Sequence, residues 1–319
     1  MNVYWFQDSK TGHLKQVQAL LDQLKKETEL SITPINFSNQ ESLPAMISDK
    51  NELDGPTILI GAGHGVYSKI LRSKKYIKKL SDKNIFLIAV LRPSYKLNSF
   101  DLIVAPEHDF RKRDLPKNVI LFKGSLAATS QAPIDENKAI IAIGGPSKHY
   151  KFDQEILMKQ LRYILSIHPK HKFKIFNSRR TPNALNVELK NELNNYPNAE
   201  FIHLNSPESD SFQETLYESA LKFVTPDSSN LVFEALSTQG QTYLIQIEKS
   251  KYRRIFGTKK IRESMHELVH SKRVGVVSIL NKKGGIDVSK IEAPSPHFEP
   301  LAEVEKVSFS IMKFINRQK

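Results

Sequence analysis

The sequence predicts an α/β protein of two domains, and three observations lead there. A chain of 319 residues is long for one hydrophobic core and comfortable for two α/β domains of ordinary size. Short apolar runs of strand length alternate with amphipathic stretches of helical period, as in parallel sheets covered by helices. That alternation lapses once, over the polar, proline-containing stretch from Ala127 to Asn137, and then restarts. We read the lapse as an interdomain linker. The division expected is an N-terminal domain over residues 1–132, a C-terminal domain over 138–300 and a closing helix over 301–319.

Taken in order, Val3 to Gln7 is the first strand, followed by a polar loop and an amphipathic helix from Leu14 to Lys26 with Val17, Leu20, Leu21 and Leu24 on one face. Thr57 to Ile60 is a second strand, which turns through Gly61-Ala62-Gly63-His64-Gly65 into a basic helix from Val66 to Leu80. Further strands are expected at Ile85 to Val90, Leu102 to Val104 and Val119 to Phe122. The second domain opens at Ala139 to Ile143 and enters a helix from about Asp153 to Ser166. It continues with strands at Lys172 to Phe176, Phe201 to His203, Phe223 to Thr225 and Thr242 to Ile247. Leu301 to Asn316 reads as the closing helix.

Composition narrows the class. Apolar residues are 39% and charged residues 25% of the chain, within the range of sequences that fold unaided. There is no cysteine, which excludes disulfides and thiolate metal sites and fits a reducing cytoplasm. The N-terminus lacks the pattern of a signal peptide, and the longest apolar runs are strand-sized, so a cytoplasmic location is expected. A net charge of +13 predicts attraction to polyanions. No zinc-finger spacing, RNA-binding strand signature or helix-turn-helix is evident, which sets nucleic acid aside. On the basic helix, Lys69, Arg72, Lys75 and Lys79 could meet an anionic membrane surface or a lipid-linked acceptor; a solvated outer face is the plainer reading.

The chemistry-bearing residues gather after strands. Gly144, Gly145, Ser147 and Lys148 follow the first strand of the second domain, where free backbone N–H groups and an ammonium would suit a phosphate. An ordinary glycine turn is the alternative. Ser178, Arg179 and Arg180 follow the next strand, and paired guanidiniums suit a diphosphate, unless the turn is merely solvated. In Asp227-Ser228-Ser229, the hydroxyls of Ser228 and Ser229 are placed to donate to phosphate, and Glu234 to accept from both hydroxyls of a ribose; the alternative is a capped helix with an exposed glutamate. In the first domain Asp8, His13, His64, Glu107 and His108 are candidates to remove a proton from an acceptor hydroxyl. The histidines lack ligand spacing and no Asp-x-Asp pair occurs, so neither a metal nor a tightly bound cofactor is expected.

Together, Thr11-Gly12-His13 with Gln16, Gly61-Ala62-Gly63, Ala105 to Asp109, Gly144 to Tyr150, Ser178 to Pro182, Asp227-Ser228-Ser229 with Glu234-Ala235, and Pro300-Leu301 resemble the elongated-mitochondria (ELM) family of mitochondrial fission proteins and its bacterial members. The resemblance covers most of the chain. It departs at Gly240-Gln241-Thr242, where Gly-Lys-Pro is usual, and at His64-Gly65, where arginines are frequent. It implies a fold of two Rossmann-like domains facing across a cleft, as in GT-B glycosyltransferases, with the C-terminal helix packing back. It further implies a nucleotide-diphosphate sugar as co-substrate of the second domain and metal-independent glycosyl transfer, in cell-envelope glycan synthesis for instance. The competing expectation is a non-catalytic adaptor that keeps the fold and binds a partner through its positive surface.

Overall fold

The computed structural model describes residues 1–36, 55–80, 84–110, 115–147, 150–247, 259–282, 286–296 and 299–318. The chain forms two compact units, Met1–Thr129 with Ala302–Lys319, and Ser130–Leu301.

Unit 1 contains strands β1 (Asn2–Gln7), β2 (Ser31–Asn36), β3 (Thr57–Ala62), β4 (Ile85–Val90), β5 (Leu102–Pro106) and β6 (Val119–Phe122), all parallel, in the order β2-β1-β3-β4-β5-β6. Every residue of β3 and β4 is buried, because helices cover both faces and both sets of alternating side chains must be apolar. Val3 and Trp5 face the cluster that holds α1 (Thr11–Glu27), whereas Tyr4 and Phe6 face the one that holds α2 (His64–Leu80). The closing helix, α8 in chain order (Glu303–Arg317), packs back onto this unit: Val304, Val307, Ile311 and Ile315 form one buried stripe at helical spacing against the side of the sheet that α1 covers. Polar ties reinforce it, Ser308 Oγ to Glu27 Oε1 at 2.6 Å and the Lys123 N–H to Glu303 at 2.8 Å.

Unit 2 contains β7 (Asp135–Ala142), α3 (Gln154–Ile167), β8 (Lys172–Phe176), α4 (Asn183–Glu192), β9 (Ala199–Ile202), α5 (Phe212–Glu218), β10 (Ser219–Val224), α6 (Ser229–Leu236), β11 (Gln241–Ile245), α7 (Lys259–His270), β12 (Gly275–Lys282) and β13 (Ile286–Glu292). The sheet order is β13-β12-β11-β10-β7-β8-β9, parallel except for the β12–β13 pair. Counted from β7, this is the Rossmann order 3-2-1-4-5-6 with one antiparallel strand added, while unit 1 has the 2-1-3-4-5 order of the other doubly wound type with a sixth parallel strand added. Both units are thus Rossmann-like, and each has one point where the direction of winding reverses: between β1 and β3, and between β7 and β10.

Three details differ from the sequence reading. Asp135 to Asn137, expected in the linker, already form the exposed start of β7. Strand β2 was not anticipated; it is a sheet edge and carries Pro34, which an edge tolerates. Nor was the β12–β13 hairpin at the opposite edge of unit 2. At the centre of that sheet, Lys222 on β10 is fully buried, and its ammonium has no hydrogen-bond partner among the described residues. Burial pushes its pKa down from 10.5 to about 7.

Candidate functional site

In open α/β sheets ligands sit beyond the carboxyl ends of the strands where the winding reverses. In unit 2 that position is occupied by three loops that the sequence reading had singled out, following β7, β8 and β10. They meet on Asp227. Its Oδ2 accepts from the Gly145 N–H at 3.1 Å and from Arg180 Nη2 at 2.6 Å. The carboxylate side chain is wholly buried, while the arginine side chain is 42% exposed. Thr181 ties the second loop to the first, its hydroxyl lying 2.5 Å from the Gly144 carbonyl, and the Thr225 hydroxyl accepts from the Gly144 N–H at 2.7 Å. Two glycines are needed for this closeness: a Cβ on Gly144 would overlap the Asp227 carboxylate, and one on Gly145 would overlap the Arg180 backbone.

This geometry corrects one expectation. The N–H groups of Gly144 and Gly145 are not free for a phosphate, because Thr225 and Asp227 already accept from them. Outward of the convergence lie the exposed side chains of Arg179 and Arg180 and the start of α6. Ser228 begins that turn as N-cap, accepting from the Leu231 N–H at 3.5 Å, and Ser229 is the first helical residue. Glu234 lies on the second turn, half-buried. Ser178 is a turn residue, its hydroxyl 3.2 Å from that of Thr181 and accepting from the Arg180 N–H. Ser147 accepts from the Tyr150 N–H at 3.3 Å. Tyr150 is buried, and burial together with the Asp227 charge pushes its phenol up to about 12, with Arg262 opposing. Lys148 lies outside the described residues.

At the corresponding point of unit 1, Asp8 follows β1 and Gly63 follows β3. His13, from the first turn of α1, places Nδ1 2.7 Å from Asp8 Oδ2, and the other oxygen of Asp8 accepts from the Lys10 N–H at 3.0 Å. Gly63 has φ +99, and a Cβ there would lie 2.6 Å from His13 Nδ1 and 2.7 Å from Asp8 Oδ2, so glycine is what lets the pair form against the strand end. Asp8 and His13 are each 19% exposed. A carboxylate on one imidazole nitrogen fixes the ring and leaves the other nitrogen to exchange protons. His64 begins α2 next to this point, exposed, with its ring 5.9 Å from that of Tyr67. Burial raises the Tyr67 pKa, and its hydroxyl is 2.6 Å from the Val90 carbonyl. Glu107 and His108 are not brought to the pair: they follow β5, three strand positions from β1, or roughly 14 Å. Gln16 is buried and structural, its side-chain carbonyl accepting from the Leu126 N–H.

The sequence reading named these loops but not what joins them. Asp227, Thr225 and Thr181 hold the unit 2 site together, and none was assigned to it. A signal was present, since adjacent glycines at one strand end imply a close neighbour, and an acid beside two serines at another strand end was a candidate for it.

Comparison with known proteins agrees with this architecture. The mitochondrial fission protein ELM1 of Arabidopsis thaliana is 25% identical over 247 residues, covering 66% of this chain and 56% of the plant protein. The chain therefore spans little more than half the length of that relative. The uncharacterized protein RP120 of Rickettsia prowazekii is 24% identical over 377 residues, covering 98% of each chain. Among solved structures, the UDP-GlcNAc 2-epimerase of Neisseria meningitidis bound to UDP-GlcNAc superposes with a TM-score of 0.52 at 12% identity, covering 99% of this chain and 100% of the epimerase. At that identity the likeness speaks for the fold, which is the GT-B-like one expected. The profile of the family described as mitochondrial fission ELM1 matches residues 11–314, from the first turn of α1 into α8 and through the loops of both units, and the chain belongs to that family.

Proposed function

We propose that the chain is a glycosyltransferase that uses a nucleotide-diphosphate sugar without a metal ion, held on unit 2. The observation that carries the reading is the convergence of three strand-end loops on the Asp227–Arg180 pair where the winding of the sheet reverses. A buried carboxylate orients the arginine, so its guanidinium is fixed before any ligand arrives. In this reading Arg180 and Arg179, with the N–H groups of the first turn of α6, take the diphosphate, and Glu234 takes the ribose hydroxyls. An acceptor hydroxyl needs a general base, and the Asp8–His13 pair is a candidate for that role. The acceptor oxygen bonds to the anomeric carbon as the bond from that carbon to the diphosphate oxygen breaks. The acceptor proton passes to a general base, and the nucleoside diphosphate leaves with its new charge met by the arginines. A lipid-linked acceptor is consistent with the exposed Arg72 and Lys75 on α2.

A second reading is favoured by the family to which the chain belongs: a non-catalytic adaptor that keeps the fold and binds a protein partner. Calorimetric titration with uridine, adenosine and guanosine diphosphates and their sugars separates the two. Saturable binding of one nucleotide is expected, weakened at least tenfold by Glu234→Ala while the urea midpoint of that variant hardly moves. Absence of binding by every nucleotide, with specific capture of a protein partner, supports the adaptor.

A further inference from the structure

Strand β9 is an edge of the unit 2 sheet and pairs with β8 alone. Phe173 lies in register with Ala199, and its N–H donates to the Asn198 carbonyl at 2.8 Å. That phase of a parallel ladder turns the backbone groups of Glu200 towards β8 and those of Ala199 and Phe201 away from it. The Ala199 N–H is used by the turn before the strand, donating to the Tyr196 carbonyl at 3.0 Å. The Ala199 carbonyl and both backbone groups of Phe201 are left facing outward, with no partner among the described residues. Such an edge is open to a further strand unless something blunts it. Pro34 blunts the edge strand β2 of unit 1, whereas Ala199–Ile202 contains no proline.

Two cavities lie along this edge and meet at Glu200. One, of about 370 Å³, follows β9 from Glu200 to His203 beside α4. Val187 on α4 is 55% exposed, and with Phe201 it gives this cavity an apolar wall. The other, of about 600 Å³, flanks the start of β9 at Pro197 and Asn198 and is basic: Lys138, Lys170, Lys172 and Lys174 line it against Glu200 and Glu218. Glu218 is taken by Lys138 at 2.5 Å, while Lys170, Lys172 and Lys174 form no ion pair among the described residues. Three ammonium groups therefore face Glu200 alone, which favours an acidic occupant at this end and repels a basic one. Outward backbone groups, an apolar anchor beside them and a basic end together describe a bed for a chain in extended conformation, where main-chain bonds give affinity and the side pockets give specificity.

We propose that the β9 edge takes an extended peptide segment as an eighth strand of the sheet, with an apolar side chain against Val187 and Phe201 and acidic residues at the end beside Pro197. The proposal stands on the sheet edge and holds whether or not unit 2 binds a nucleotide. It is tested on the full chain by fluorescence anisotropy with labelled peptides of alternating valine and threonine that carry aspartates at the amino or the carboxyl end. The controls are the same peptides ended in lysines and one with proline at alternate positions, which cannot complete a ladder. At least one aspartate-ended peptide binds saturably, and its affinity falls about tenfold in Lys172→Glu and in Val187→Asp. Both side chains are exposed, so the urea midpoint and any nucleotide response stay as in the parent. In amide hydrogen exchange the Phe201 N–H is open in the free chain and protected in the complex, a change that attraction to the lysines alone would not produce. The proposal is overturned if no aspartate-ended peptide binds, if a lysine-ended or proline-bearing peptide binds as tightly, if binding survives both substitutions, or if exchange at Phe201 is unaltered at saturation. Concentration-dependent dimerisation abolished by Val187→Asp would also overturn it, assigning the edge to a second copy of the chain.

Discussion

At the point where the winding of unit 1 reverses, Asp8 and His13 meet at 2.7 Å with about a fifth of each side chain open to solvent, whereas in unit 2 the Asp227 carboxylate is sealed from solvent and its partner Arg180 is 42% exposed. Both places combine a carboxylate, a nitrogen-bearing side chain and a glycine that allows close approach. They differ in which end of the pair reaches solvent. An accessible imidazole oriented by a carboxylate can take up and release a proton, while a guanidinium anchored by a buried acid can only hold its position and its charge. In the proposed function the first arrangement would serve as an acid–base device and the second as an electrostatic one.

The comparison is broken or sharpened most by His13→Gln. If the pair is the base, transfer falls by roughly 10²–10⁴-fold at unchanged nucleotide affinity, as for loss of a general base. An unaltered rate in a coupled transfer assay would make the pair structural. Next comes an asymmetry in unit 2. Arg180→Ala leaves a buried carboxylate without its counter-charge and is expected to cost about 3 kcal/mol in urea denaturation. Asp227→Asn leaves an arginine that solvent can reach and costs about 1 kcal/mol. Equal losses would mean that Asp227 does not anchor Arg180.

Lys222 sharpens the contrast further, being a buried charge in unit 2 with no partner among the described residues. Its pKa is 10.5 as an ordinary lysine and about 7 in the fold, so between these values the unfolded chain binds more protons than the folded one. Stability from this group therefore rises with pH from about 7 to 10.5, and the penalty is fully present below 7. Lys222→Met is expected to stabilise the chain by roughly 2 kcal/mol at pH 6. The gain should vanish above pH 10.5, measured by urea denaturation across the range. The smallest effect is at Asp153, whose side chain caps α3 through the Ile156 N–H at 3.2 Å. Asp153→Ala should cost about 1 kcal/mol and leave ligand binding intact, since it touches neither pair.

The strands Ile85–Val90, Val119–Phe122 and Lys172–Phe176 could be read to the residue from sequence, because a short apolar run is a property of neighbours along the chain. Other strands went unread: β2 is an edge, half-exposed and carrying Pro34, and β13 is an edge interrupted by charged residues, whereas β12 carries the apolar Val276, Val277, Ile279 and Leu280 and was legible but overlooked. The candidate loops were legible for the same local reason, as glycines, arginines and hydroxyl residues placed after strands. Their pairings were not. Gly144 to Thr225, Gly145 to Asp227 and Arg180 to Asp227 join residues 81, 82 and 47 positions apart. Which N–H is free and which carboxylate is buried was settled only when the sheet set β7 beside β10, since a hydrogen bond depends on distances that sequence order does not contain.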